Sequence, residues 1–264
     1  MSDGASKVKM PTPPSKLKHI FTAILLLALF LASGKQVDAS FSKLAEGLPN
    51  IMDLLKQMVP PDWNYFAKVT NAMLDTIRMA ILGTTFGAIL AIPFALFSAN
   101  NIVPSPFVYG PVRFLLNLIR TVPDILLAAI FVAIFGIGAL PGIFALTVFS
   151  TGLIAKLLYE AIEAIDKGPL EAMTAVGANK IQWIFYAIIP QITVQFISFV
   201  LYTFEVNVRA AAVLGLVGAG GIGLYYEQTL GFLQYQQTSS IIIYTLVIVL
   251  LIDYVSTSLR EKLL

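Results

Sequence analysis

The sequence contains no cysteine and only one histidine, and both shortages exclude whole classes of chemistry. Without cysteine the chain has no disulfide, no thiolate nucleophile and no cysteine metal site. His19 precedes the first apolar run, and a single histidine excludes a zinc-protease motif and a pair of catalytic histidines. We therefore predict no catalytic residue and no metal site in this chain.

Charged residues are also scarce, at 12% of the chain, whereas soluble domains contain about 25%. Hydrophobic residues make up 58% of the 264 residues, and the mean hydropathy is +0.83. The formal net charge of +2 is too small to indicate nucleic-acid binding. The composition predicts an all-α integral membrane protein whose partner is the lipid bilayer.

The first 69 residues divide into three predicted parts. Residues 1–18 are a basic tail rich in lysine and proline, which favours a cytoplasmic N-terminus. Residues 19–34 are apolar; a cleaved signal peptide also fits, but we favour an uncleaved first transmembrane helix because the rest of the chain is multi-spanning. Residues 35–69 are predicted to connect at the outer face and to contain an amphipathic helix on the outer membrane surface.

Residues 70–258 are predicted to form the transmembrane core. Its expected spans are 70–97, 112–136, 143–165, 181–205 and 239–255. With the first span these make about six transmembrane helices, so residues 259–264 return to the cytoplasm beside the N-terminus.

Glycine and proline predict local features within that core. Gly83 and Gly87 have the G-x-x-x-G spacing that lets helices approach closely. Residues 100–111 are rich in proline and predict a loop. Pro123 predicts a break in the third span, and Pro190 predicts a kink in the fifth.

A polar segment over about residues 166–180 separates the fourth and fifth spans. Pro169 suits the first turn of a helix, and Gly177 suits a left-handed helix end. Asn179, with Gln182 three residues later, predicts a capping box. The pattern indicates a short helix, a sharp turn and a second helix. Spacing alone leaves open whether this segment docks a partner protein or is an ordinary loop between helices.

Residues 218–223 match the dinucleotide pattern G-x-G-x-x-G. That function requires a preceding strand in a βαβ unit, whereas the flanking residues here belong to a membrane domain. We predict close backbone packing or an irregular turn at five glycines, namely Gly215, Gly218, Gly220, Gly221 and Gly223. No G-x-x-x-x-G-K-[ST] pattern occurs, so the chain carries no P-loop of its own.

Several charged residues fall in the predicted spans, where exposure to lipid is costly and function is the usual interpretation. Three pairs have helical spacing: Arg120 with Asp124, Lys156 with Glu160, and Glu205 with Arg209. Such pairs either hold the bundle together or line a solute path, and the spacing does not decide between them. For an anionic solute, Arg120 and Arg209 would be the cations to test.

The polar segment resembles the signature of ABC-importer permeases, which is E-A-A, three residues, G, nine residues and I-x-L-P. Glu171, Ala172, Gly177 and Pro190 match that signature at the right spacing. Conservative departures occur at Met173, Ala187 and Ile189. Residues 202–223, Y-T-F-E-V-N-V-R-A-A-A-V-L-G-L-V-G-A-G-G-I-G, resemble the phosphonate-type permease family, with Thr203 and Ala212 in place of its usual arginine and threonine. The resemblance covers roughly residues 55–262.

This resemblance implies a type I ABC importer permease fold and a set of partners. A homodimer would form the path in a bacterial inner membrane, and an extracytoplasmic binding protein would deliver phosphonate or a related phosphorus oxyanion. A cytoplasmic ATPase dimer, which carries ATP and Mg²⁺ while this chain has no cofactor, would dock on Glu171, Ala172, Gly177 and Pro190. The candidate substrate path comprises Arg120, Asp124, Glu205, Asn207 and Arg209.

Three alternatives stay open from the sequence. The same architecture could serve another cargo, such as phosphite, phosphate or an organic ester. A secondary transporter or channel could work without ATP, although no inverted repeat of broken helices supports it. A membrane scaffold is the third possibility.

Overall fold

The computed structural model describes residues 16–37 and 40–263, so most of the predicted basic tail lies outside the described residues. The chain divides into two compact units, residues 1–56 and 57–264. In the first unit, α1 (Lys16–Gln36) has no buried residue and is long and apolar enough to cross a membrane. A second helix, α2 (Phe41–Gln57), carries charges among exposed leucines.

Three long helices form the centre of the second unit: α3 (Tyr65–Ser98), α6 (Ala139–Glu163) and α9 (Ile189–Leu214). Glycine allows α3 and α6 to approach closely, as the G-x-x-x-G spacing predicted. A Cβ atom on Gly83 would lie 2.5 Å from Cβ of Leu146, and one on Gly87 would overlap Cβ of Ser150. The helix α3 begins five residues before the span predicted at residue 70, because Tyr65 and Val69 are already buried in the bundle.

The third predicted span is two helices, α4 (Pro106–Thr121) and α5 (Asp124–Phe135), bent by 88° at the break before Asp124. Pro123 explains the break, because the residue before a proline avoids helical backbone angles and proline cannot donate to the preceding turn. The predicted loop over residues 100–111 was wrong beyond residue 105. Pro106 opens α4, where its missing N–H would be unpaired in any case.

The fifth predicted span is longer than expected. The helix α8 (Lys180–Trp183) continues through a π-helical stretch (Ile184–Ile188) into α9. That stretch ends just before Pro190, whose ring would clash with the carbonyl four residues earlier in a regular helix, so the predicted distortion is a π-helical turn. The short α7 (Gly168–Ala175) precedes α8.

Two helices complete the second unit, α10 (Ile222–Gly231) and α11 (Tyr235–Leu263). At one end of α11, the Ser240 hydroxyl donates to the Asp62 carbonyl oxygen at 2.8 Å and Phe66 stacks on Tyr244. Further along, the Ser256 hydroxyl donates to the Leu201 carbonyl oxygen in α9 at 3.3 Å. Among the described residues, five helices are long and apolar enough to span a membrane, or six if the bent α4–α5 pair is one span, in agreement with the prediction.

Candidate functional site

The polar segment folds as its capping residues predicted. The Asp166 carboxylate accepts the Gly168 N–H at 3.0 Å and so starts α7. At the other end, the Gly177 N–H donates to Thr174 and the Ala178 N–H donates to Met173, both at 3.0 Å. Gly177 has φ +75° and open space around its Cα, so glycine is required there for backbone conformation and not for packing.

The second helix of the polar segment begins at a complete capping box. The Asn179 side chain accepts the Gln182 N–H at 2.9 Å, and the Gln182 side chain accepts the Asn179 N–H at 2.8 Å. Two of the four signature residues, Glu171 and Ala172, are exposed on α7, and no residue of α7 is buried. We call α7 and the turn to Asn179 the coupling segment; Leu170 packs against the bundle, and Glu171, Ala172 and Val176 are exposed.

Glycines 215–223 form a buried irregular turn between α9 and α10. A Cβ on Gly215 would lie 2.5 Å from Cα of Gly223, so the two backbones touch. The other three glycines of the set have positive φ, namely Gly218, Gly220 and Gly221. Next to the last of these, the Ile222 N–H donates to the Thr76 hydroxyl of α3 at 2.8 Å. The turn therefore holds the end of α9 against α3. The elements on either side of it are the helices α9 and α10, whereas a dinucleotide site requires a preceding strand.

Glu205 and Arg209 form the ion pair that their spacing suggested, with Arg209 Nη2 2.8 Å from Glu205 Oε1. The sequence reading missed a third member, Arg260, which lies 3.1 Å from Glu205 Oε2. The helix α11 continues to Leu263, and this extension places the Arg260 side chain beside α9. The Glu205 side chain is 8% exposed and the Arg209 side chain 49% exposed.

Asn207 is fully buried and joins the three central helices. Its side-chain amide donates to the Thr84 hydroxyl in α3 and to the Ser150 hydroxyl in α6, each at 2.7 Å. Its side-chain oxygen has no hydrogen-bond partner. Asn207 therefore joins α9 to α3 and α6, and its side chain is buried in this structure.

Arg120 and Asp124 do not pair in this structure, contrary to their helical spacing. The helix α4 ends at Thr121, so the two residues belong to different helices on either side of the bend. The Asp124 carboxylate accepts the N–H of its neighbour Ile125 at 3.0 Å. The exposed Arg120 packs its stem against Gly152 of α6. By contrast, Lys156 and Glu160 form the pair expected at their spacing, at 3.5 Å.

A second ion pair that sequence reading missed joins Arg113 of α4 to Glu163 at the end of α6. These residues are fifty positions apart, so no local spacing could indicate the contact. No group of three or more histidine, aspartate or glutamate side chains within residues 16–37 and 40–263 could hold a metal ion.

Comparison with known proteins finds relatives that are all components of transport systems. The family model described as "Binding-protein-dependent transport system inner membrane component" matches residues 91–263. The phosphite transport system permease protein PtxC of Stutzerimonas stutzeri is 38% identical over 242 residues, covering 92% of this chain and 86% of the relative. The putative cryptic phosphonate transport system permease protein PhnE2 of Escherichia coli is 46% identical over 117 residues, covering 44% of this chain and 96% of the relative.

A solved structure shares the fold at lower sequence identity. The MetNI methionine ABC transporter, in an inward-facing conformation, contains a chain that is 23% identical, with a TM-score of 0.68. The match covers 77% of this chain and 99% of that one. The type I importer fold expected from the sequence is thereby confirmed, and this chain belongs to the family of inner membrane components of binding-protein-dependent transport systems, the permease subunits of ABC importers.

Proposed function

We propose that this permease forms the membrane path for uptake of phosphonate or a related phosphorus oxyanion. The observation that carries this cargo class is the 38% identity to a phosphite permease over 92% of the chain, together with the match to a phosphonate permease. Phosphite and phosphonate share a tetrahedral phosphorus with anionic oxygens, and a path for either needs cationic hydrogen-bond donors.

The charged cluster Glu205–Arg209–Arg260 supports an anionic cargo. Two cations share one carboxylate, which leaves a net charge of +1 when all three are ionised. Arg209 is half-exposed on a spanning helix, and an arginine at membrane depth faces a water-filled cavity or protein because lipid exposure is costly. We therefore place the Arg209 guanidinium on the path and assign Glu205 and Arg260 to holding it there.

The coupling segment is the proposed docking site for a separate ATPase subunit that would bind ATP and Mg²⁺. Glu171 in the first turn of α7 is exposed and no residue of that helix is buried, so its surface is accessible to a partner. Movement of this helix by the ATPase would bias the bundle between inward-open and outward-open states. Pro190 lies two residues after the π-helical stretch. The irregular backbone of that stretch would serve as the hinge between α8 and α9.

The remaining assignments are part of the same proposal. A second permease chain, in a homodimer or beside a related subunit, would complete the path. An extracytoplasmic binding protein would deliver the cargo, and both termini would lie in the cytoplasm of a bacterial inner membrane. The basic residues at the end of α11 favour this orientation.

Reconstitution in proteoliposomes tests the proposal. The permease would be combined with its ATPase and binding protein, and uptake of phosphite, methylphosphonate and phosphate would be measured with and without ATP. We expect ATP-dependent uptake, loss of ATPase attachment in Glu171→Ala, and no effect of Glu227→Ala, which removes an exposed carboxylate on α10. Uptake without ATP, or attachment that survives Glu171→Ala and a bulky residue at Ala172, would refute the coupling assignment.

A further inference from the structure

The two flanks of the coupling segment hold the same short loop, residues 99–105 between α3 and α4. On one side, the Asn100 N–H donates to Glu163 Oε1 at 2.7 Å, and the Asn101 side-chain amide donates to the Ile162 carbonyl oxygen at 2.6 Å. On the other side, Lys180 Nζ donates to the Ile102 carbonyl oxygen at 3.2 Å. Glu163 ends α6 before the coupling segment, and Lys180 begins α8 after it.

Arg113 of α4 fastens this arrangement to the bundle. Its guanidinium donates twice to the Ser98 carbonyl oxygen at the end of α3, at 2.9 and 2.8 Å, and once to Glu163. The same group lies over two aromatic rings, 4.9 Å from the centre of Tyr109 and 4.6 Å from that of Tyr159. We call Arg113, Glu163, Asn100 and the Ser98 carbonyl the junction clamp.

The chemistry of the clamp makes it a firm connection. A planar guanidinium can bind a carbonyl and a carboxylate at once while stacking on aromatic faces, which a lysine cannot reproduce. The Arg113 and Glu163 side chains are 26% and 22% exposed, so water only partly weakens the pair. By contrast, a pair such as Arg78–Asp75 lies within one helix and does not connect that helix to another element.

We propose that Arg113 and Glu163 are positioning residues that transmit displacement of the coupling segment to α3 and α4. This inference rests on the proposed docking of an ATPase at that segment. When α7 is displaced, its two flanks carry the 99–105 loop with them, and Arg113 makes α4 follow. The bend at Pro123 then passes the displacement to α5, which packs on α6 and α9.

Reconstituted complexes distinguish coupling from folding. For Arg113→Gln we expect the ATPase to stay attached and to hydrolyse ATP, while the ratio of phosphite uptake to ATP hydrolyzed falls about tenfold, a usual size for coupling between sites. Arg113→Lys keeps the charge but loses the paired hydrogen bonds to the Ser98 carbonyl oxygen, so we expect an intermediate ratio of uptake to ATP hydrolysis. Arg78→Gln is the matched control, because it removes an arginine whose partner is three residues away in the same helix.

Spin labels give a readout that a folding defect does not imitate. The chain has no cysteine, so one cysteine can be introduced at Phe107 in α4 and a second at Ile181 in α8, beyond the coupling segment; these residues are 91% and 67% exposed. Labelled chains would be diluted with unlabelled ones in the full complex. We expect the distance between the two labels to be the same in nucleotide-free and vanadate-trapped states of the wild type, and to differ between those states in Arg113→Gln.

The outcomes separate this inference from the proposed function. Proportional loss of uptake and hydrolysis in Arg113→Gln overturns the clamp, as does a label distance that changes in the wild type or stays constant in the variant. ATPase attachment that is insensitive to Glu171→Ala instead overturns the docking proposal, whatever the Arg113 variants do.

Discussion

Replacing Gly87 with alanine tests how closely α3 and α6 are packed. The added Cβ would lie 3.1 Å from both the Thr147 carbonyl oxygen and the Thr151 nitrogen, and closer still to Cβ of Ser150. Optimal carbon contacts are about 3.5–4.0 Å, so the two helices must separate. Backbone atoms supply most of these contacts, and no rotamer change can relieve them.

The expected cost follows from the packing around that position. Overpacking a tight core usually costs about 1–3 kcal/mol. Separation of the helices also weakens the Asn207 bonds to Thr84 and Ser150, and interhelical hydrogen bonds in membranes average about 0.6 kcal/mol each. Alanine recovers up to about 1 kcal/mol through its better helix propensity, so we expect a net loss of roughly 1–3 kcal/mol.

Reversible unfolding in mixed detergent micelles, followed by circular dichroism, would measure the loss. Gly231→Ala is the control, because Gly231 also lies in a helix, α10, and a Cβ there meets no atom within 4 Å. That variant should be neutral or slightly more stable. If Gly87→Ala is as stable as Gly231→Ala, the close approach of α3 and α6 is wrong.

Three further predictions follow from single contacts. Asn207→Ala should lower stability by about 1 kcal/mol, and a double-mutant cycle with Thr84→Ala should show coupling of a few tenths of a kcal/mol or more; full additivity would contradict the junction. Glu205→Ala should cost roughly 1–3 kcal/mol because Arg260 loses its charged partner, and a thermal midpoint equal to that of the wild type would rule this out. Gly221→Ala, at φ +72° and with its Cβ 2.5 Å from a threonine hydroxyl, should unfold at markedly lower temperature, and unchanged stability would show that the turn can relax.

Local signals in the sequence were sufficient for features that depend on neighbouring residues. The capping box at Asn179, the helix end at Gly177 and the break at Pro123 each follow from backbone constraints within a few residues. The number of spans likewise follows from hydropathy, because each span must satisfy its own backbone groups.

Contacts between distant residues could not be predicted in this way. Arg113 and Glu163 lie on different helices, and so do Glu205 and Arg260, so no periodicity relates them. Arg120 and Asp124 show the converse error, since their spacing suggested a pair that the bend between α4 and α5 separates. Charge pairing depended on where helices stop, and helix ends are the least constrained part of a hydropathy pattern.

The coupling segment and the glycine turn lie at opposite ends of α6, which at 25 residues is roughly 37 Å long. Glu163 and the junction clamp are at one end, and at the other the Gly138 N–H donates to the Gly218 carbonyl oxygen. A displacement can cross that distance only if the intervening helices move as one body. The close α3–α6 contact at Gly87 and the bonds of Asn207 to both helices supply that rigidity. The residues that stabilise the bundle should therefore also be required for coupled transport, and Gly87→Ala should lower uptake per ATP hydrolysed as well as stability.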